Sequence, residues 1–173
     1  RIDILLINLD MDNLINNNKN WHRLNGKPLK LTLKETLLND ISNSTSNLKF
    51  YIGSDSHCYD NKIVYSIVLV MLKKGCGGIG YYKRVNEDYK LTTQQRLFQE
   101  TYYAVELATY ISPILESIGY KIEEIHTDLN PNPKYVSHSM INQCLGYIKG
   151  MGFIGKTKPN SWAASSVADL KSR

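Results

Sequence analysis

Four carboxylates, Asp55, Glu100, Asp128 and Asp169, stand at the ends or starts of patterned segments spread over about 115 residues of the chain. Asp55 lies in the strand-like run Phe50-Tyr51-Ile52-Gly53-Ser54-Asp55-Ser56, and Asp128 closes a second such run that starts at Ile122. Glu100 falls near the start of a long helical pattern, and Asp169 lies in a short one from Ser161 to Lys171. Clustered carboxylates repel one another, so a fold keeps them together mainly where divalent cations neutralise them. Hard oxygen ligands suit Mg²⁺ or Mn²⁺, which points to metal-assisted chemistry on phosphates. Each acid alone also has a plainer role: Asp55 in a turn or edge, Asp128 at a strand end, Asp169 on a solvated helix face. Their order along the chain favours the joint site.

Other side chains carry weaker signals. His57, His126 and His138 lack zinc-ligand spacing and have no paired thiol; His126, two residues before Asp128, is expected to pack. Ser54, Ser56, Ser165 and Ser166 have no evident base partner, so hydrogen-bonding or capping roles are expected. Lys156 and Lys158 alternate along a strand and could meet phosphates, or line a solvated strand face. The tyrosines could stack on bases, but core packing is the expectation. Lys74-Gly75-Cys76-Gly77-Gly78 lacks the Gly-Lys-Ser/Thr ending of a phosphate loop and joins two strands, so a turn is expected.

The elements that must position these groups read as follows. Thr32 caps a helix from Leu33 to about Ser42, with Glu35 completing a capping box. Strands follow at Leu48–Cys58, Lys62–Leu72 and Ile79–Val85. The second is apolar on both faces and therefore central. Thr92 or Thr93 caps a long helix, which Ser112-Pro113 either kinks or divides. A strand from Ile122 to Asp128, a helix from Lys134 to Lys149, a short strand Phe153–Lys158 and the last helix complete the order β-β-β-α-β-α-β-α. Two hairpins start a mixed five-stranded sheet, and crossover helices extend it with parallel strands. The expected architecture is α/β, with flanking helices and an N-terminal helical extension. Residues 1–31 read as the extension and 32–173 as the domain. Among α/β folds this order resembles that of ribonuclease H.

The chain has 173 residues, 42% apolar and 21% charged, which suits one soluble domain with a real core. The net charge of +5 is compatible with nucleic acid without establishing it. Three widely spaced cysteines without a CxxC pair read as reduced thiols, hence a cytoplasmic setting, or the host cytoplasm for a viral protein. The longest apolar run, Ile67 to Leu72, is too short for a membrane span. Oligomeric state is left open.

Several stretches resemble the YkuK-like family of ribonuclease H-like proteins: Ile52-Gly53-Ser54-Asp55-Ser56, Lys74-Gly75-Cys76-Gly77-Gly78, Gln99-Glu100-Thr101 with Val105-Glu106-Leu107-Ala108, Ile125-His126-Thr127-Asp128, Gly150-Met151-Gly152-Phe153, and Lys158-Pro159-Asn160-Ser161-Trp162-Ala163-Ala164-Ser165-Ser166-Val167-Ala168-Asp169. The match covers roughly residues 32–173, and its last stretch is the most specific. His57 departs from the expected pattern, where another polar residue such as glutamine would stand.

The resemblance implies a nuclease-type site that holds two Mg²⁺ or Mn²⁺ ions about 4 Å apart. Asp55 would bridge both ions, Asp128 would bind one and Asp169 the other. Glu100 and Glu106 both lie in matching text. Six residues apart, they face different sides of a helix, and Glu100 is the preferred ligand. The carboxyl oxygens of Asp55, Asp128 and Asp169 are expected to converge within about 4–8 Å. The implied activity is phosphodiester cleavage in RNA, an RNA–DNA hybrid or DNA. The competing expectation is a non-catalytic module of the same fold for nucleic-acid binding or assembly. A strand-transfer or junction-resolving enzyme, which would need a dimer, is a third.

Overall fold

The computed structural model describes residues 20–44, 47–60, 62–88 and 91–173. Helix α1 (Leu33–Ser42) begins at the expected capping box: the Glu35 N–H donates to Thr32 Oγ1 and the Thr32 N–H to Glu35 Oε2, both at 3.0 Å. Strands β2 (Leu48–Tyr59), β3 (Lys62–Lys73) and β4 (Gly77–Glu87) form two hairpins. The first turns through Asp60 at φ 46°, a conformation that Asp adopts more readily than most residues. A second capping box, Thr92 with Gln95, starts α2 (Thr93–Glu116). This helix runs through Pro113 without division. Strand β5 (Ile122–Thr127) follows, then a 3₁₀ turn (Val136–Met140), α3 (Ile141–Gly150) and β6 (Gly155–Lys156). The chain ends in a π-helical turn (Ala163–Ala168) continued by α4 (Asp169–Ser172).

Among the described residues the sheet is mixed and has six strands rather than five; with β1 spanning Trp21–Arg23, its order is β1-β4-β3-β2-β5-β6. The addition is β1 (Trp21–Arg23), antiparallel to β4 with Trp21 opposite Lys83. A three-residue strand shows no period, so its signal lay only in Trp21, which is buried in the main core. Within the stretch read as an extension, residues 1–19 lie outside the described residues, and α1 lies just beyond it. The fifth expected strand shrinks to Gly155–Lys156, and the helix expected from Lys134 becomes helical only at Val136. There the Asn132 and Lys134 N–H groups donate to the side chains of Asn130 and Asn132, a run of Asx turns ahead of the first helical residue.

Alternation along β3 explains its unbroken apolar run. Tyr65, Ile67, Leu69 and Met71 face a core shared with Val105, Ala108, Ile111 and Leu115 of α2. Val68 and Val70 face Ala163 and Ala168 of the C-terminal helix. Both faces of the sheet are therefore covered. Among the described residues no helix is long and apolar enough to cross a membrane.

Gly53 fixes the distance between β2 and the C-terminal helix. A Cβ built on it would stand 2.6 Å from the Ala163 carbonyl carbon and 2.7 Å from the Ala164 nitrogen. The helix backbone lies directly on this glycine, and the small side chains of Ala163, Ala164 and Ala168 make that approach possible. His126 pins the same turn from β5. The Ala163 N–H donates to His126 Nδ1 at 3.1 Å, so the ring proton sits on Nε2, 3.0 Å from Glu124 Oε2. Burial lowers the pKa of this histidine and keeps it neutral. His126 packs between Tyr51 and Trp162.

Candidate active site

The site forms where β5 ends and β2 continues. The last parallel pair is Ser54 with Thr127, so Asp55 is the first β2 residue without a β5 partner. Asp128 follows β5 directly. Ligand sites of open α/β sheets gather at such carboxyl ends of parallel strands.

Side-chain alternation on β2 serves both layers. Ser54 and Ser56 reach α2: the Ser54 hydroxyl donates to the Glu100 carbonyl, and Ser56 Oγ donates to Glu100 Oε1 at 2.6 Å. Arg96, one turn before Glu100, places Nη1 at 2.6 Å from Ser56 Oγ and 3.3 Å from Glu100 Oε1. Asp55 turns to the C-terminal helix, where Ser172 Oγ donates to its Oδ2 at 3.2 Å.

Electrostatics tie the four acids together. Burial, then the charge of Asp128, and to a smaller degree that of Asp169, push the Asp55 carboxyl up to about 6. Burial and the charge of Asp55 push Glu100 up to about 8, against the opposing Ser56 hydroxyl and Arg96. Glu106 belongs elsewhere: its charge acts on Tyr102 and on Tyr147 of α3.

Among the described residues, no three His, Cys, Asp or Glu side chains close into a group that could hold a metal ion. Protein cations stand against three of the acids. The Lys158 ammonium lies 2.9 Å from Asp128 Oδ2 and 2.9 Å from Oδ1. Arg173 grips Asp169 with Nη2 at 3.0 Å and Nε at 3.2 Å. Arg96 stands against Glu100. The donor set itself, carboxylates and serine hydroxyls, is the hard-oxygen chemistry that Mg²⁺ and Mn²⁺ prefer. Asp128 Oδ1 is buried and makes no hydrogen bond, and the Lys158 ammonium stands 2.9 Å from it. Lys156 is half-exposed, 3.8 Å from Glu124.

Arg96, Ser172 and Arg173 join the site without having been singled out in the sequence. Arg96 and Arg173 each stand four residues from an acid, the helical spacing of an ion pair, and were legible on that ground. Ser172, 117 residues from Asp55, gave no such signal.

The raised acids set a pH dependence for the metal-free protein. A carboxyl whose folded pKa exceeds its unfolded value binds more protons when folded, so its contribution to stability is present at low pH and lost as pH rises. For Asp55 and Glu100 that loss spans from about 4 to about 8. Thermal unfolding in chelator is expected to show this falling component between pH 5 and pH 8. Asp55→Asn, with nothing to ionise, should flatten it; an unchanged slope in that variant would refute the assignment.

A family model described as Ribonuclease H-like matches residues 33–173. No curated protein and no solved structure matches the chain.

Proposed function

The chain belongs to the ribonuclease H-like family, and from that premise we propose that it hydrolyses phosphodiester bonds of nucleic acid with the help of Mg²⁺ or Mn²⁺ at Asp55, Glu100, Asp128 and Asp169. The observation that carries this proposal is electrostatic. The charges of Asp128 and Asp169 weigh on Asp55, and those of Asp55 and Asp128 weigh on Glu100. A fold with no use for such a cluster gains only repulsion from it. Within the family we infer the YkuK-like branch, on the strength of the Lys158 to Asp169 stretch.

The residues divide the work. Asp55, Asp128 and Asp169 would hold the two ions, and the Ser172 hydroxyl fixes the Asp55 carboxyl. Ser56 and Arg96 fix the Glu100 carboxyl, which would give up its proton on holding a cation. Lys156, half-exposed on the sheet edge beside Glu124, would turn to a phosphate. When bound, the ions supply an activated water and a charge that steadies the leaving oxygen. The nucleic acid is RNA, an RNA–DNA hybrid or DNA. Three unpaired cysteines, two of them exposed, support a reducing, cytoplasmic setting.

A non-catalytic module of the same fold is the second reading, favoured by the protein cations on Asp128, Asp169 and Glu100. Cleavage assays separate the two. Purified chain is offered labelled RNA, hybrid and duplex DNA with millimolar Mg²⁺ or Mn²⁺. Wild type is expected to cut at least one substrate, Glu100→Gln to lose that cutting, and Glu106→Gln to keep most of it. If Glu106→Gln were the inactive variant, the helix ligand would be reassigned. No cutting of any substrate would select the module.

A further inference from the structure

Tyr82 and Arg84 of β4 and His22 of β1 stand on the face of the sheet that the C-terminal helix covers in part. Register sets His22 opposite Tyr82, and the two half-buried rings stack with centroids 5.4 Å apart and planes 26° apart. The Lys171 ammonium stands over the Tyr82 ring at 5.2 Å. Beside the rings lies a cavity of about 260 Å³, lined by Asn20, His22, Tyr82, Arg84 and Asn86.

Among the described residues no carboxylate lines this cavity. Arg84 donates from Nε to the Lys171 backbone oxygen and from Nη2 to that of Arg173, the latter at 2.7 Å. Those bonds fix the guanidinium plane without an Asp or Glu to offset its charge. The neighbouring acids are engaged elsewhere: Glu87 accepts from Tyr103 of α2, and Asp88 pairs with Lys62 at 3.5 Å.

Each part of the cavity suits a nucleotide. Aromatic rings stack on bases of any sequence, and an ordered guanidinium takes a phosphate. The amides of Asn20 and Asn86 offer donors and acceptors to a base edge. A base inside a duplex has its faces covered by its neighbours, so the base that fits is unpaired. Asp55 pairs with Ser66, and Ser66 with Arg84, so Arg84 lies in the row of Asp55, two strand spacings or about 10 Å away. Lys171-Ser172-Arg173 spans that gap: Ser172 bonds Asp55, and its two neighbours bond Arg84.

We propose that this cavity holds an unpaired base of a single-stranded nucleic acid, stacked against His22 and Tyr82 with its phosphate on Arg84. The proposal rests on the nucleic-acid function above and names the form of the strand and the place that holds it. It involves no metal ion, so it is tested in chelator, apart from cleavage.

The probes are short RNA and DNA strands that carry one fluorescent adenine analogue, alone and annealed to their complements, titrated with the full-length protein. Wild type is expected to bind the single strands more tightly than the duplexes and to quench the analogue, as stacking does. His22→Leu and Tyr82→Leu should each weaken binding by about tenfold and lose the quenching. Tyr82→Phe should keep both. Arg84→Gln should weaken binding and lower its salt dependence, with quenching retained at saturation. Circular dichroism checks that each variant is folded, and since Tyr82 borders the core, His22→Leu and the wild-type preference for single strands stand as tests of their own. Leucine variants that bind and quench like wild type, or a wild-type preference for duplex, would overturn the proposal. Adenosine monophosphate that competes as well as the strand would mark a free-nucleotide site and also overturn it. Cleavage without this binding would sink the proposal alone, and binding without cleavage would sink the nuclease reading alone.

Discussion

Asp55→Asn is expected to abolish metal-dependent cleavage while leaving the metal-free protein as stable as wild type or slightly more so. The change keeps the shape of the side chain and removes its charge. Asp55 is the acid on which burial, Asp128 and Asp169 all weigh, and its own charge weighs on Glu100. Without an ion that charge is a liability, and its removal relieves repulsion. With an ion it is the central ligand, and losing it is expected to slow cleavage by on the order of 10²–10³-fold or more, a few kcal/mol of transition-state stabilisation. The same variant should lose the thermal response. An ion present at a hundredfold excess over its Kd stabilises the folded state by about 2.7 kcal/mol. For a chain of this size that raises Tm by roughly 5–10 °C. Melting curves of both proteins with and without millimolar Mn²⁺ give the comparison. A variant that retains the full shift would show that the ion binds elsewhere, and a wild type that ignores both Mg²⁺ and Mn²⁺ would favour the module.

Periodic segments were legible and contacts between distant segments were not. The β2-β3-β4 meander, α2 and β5 declared themselves by alternation, capping residues and turn chemistry, all of which are local. The two capping boxes were readable because Thr32 with Glu35 and Thr92 with Gln95 satisfy each other within one turn. β1 was missed because three residues have no period, and Trp21 earns its burial only from the partners it meets across β4. β6 was read too long because Phe153 and Ile154 look like strand residues, yet only Gly155 and Lys156 pair with β5. At the site the acids could be picked out by type and order. Their distant partners could not: Lys158 reaches Asp128 across thirty residues, and Ser172 reaches Asp55 across 117. The π-helical turn that sets the direction of Asp169 has the composition of an ordinary helix. The contacts it makes, the close β2 backbone and the His126 bond to Ala163, are both tertiary.

That closeness makes Gly53→Ala the substitution with the largest expected effect on stability. The added methyl would meet the Ala163 carbonyl carbon at 2.6 Å, the Ala164 nitrogen at 2.7 Å and the Ala163 oxygen at 2.8 Å. All three are backbone atoms, so no side chain can rotate to make room. Either the C-terminal helix lifts or β2 bends, and β2 is held on both sides by β3 and β5. The helix is therefore the part that moves. Its retreat opens the small cluster of Val68, Val70, Ala163 and Ala168, and it strains the Ala163 bond to His126. Overpacking of this kind costs about 1–3 kcal/mol, and more where backbone must shift; Gly53→Ala is expected at or above the upper end. Gly146→Ala in α3 is the matched control. Nothing lies within 4 Å of its would-be Cβ. There alanine is expected to stabilise by about 0.5–1 kcal/mol, because glycine loses more freedom on entering a helix. Urea unfolding of the two variants measures the contrast. Gly53→Ala also carries a functional consequence, because the displaced helix holds Asp169 and Ser172. In a variant kept folded at low temperature, the Mn²⁺-dependent rise in Tm should shrink along with stability. A Gly53→Ala protein of wild-type stability that responds fully to Mn²⁺ would mean that the helix does not rest on this glycine, and the account of how Asp169 reaches Asp55 would fail with it.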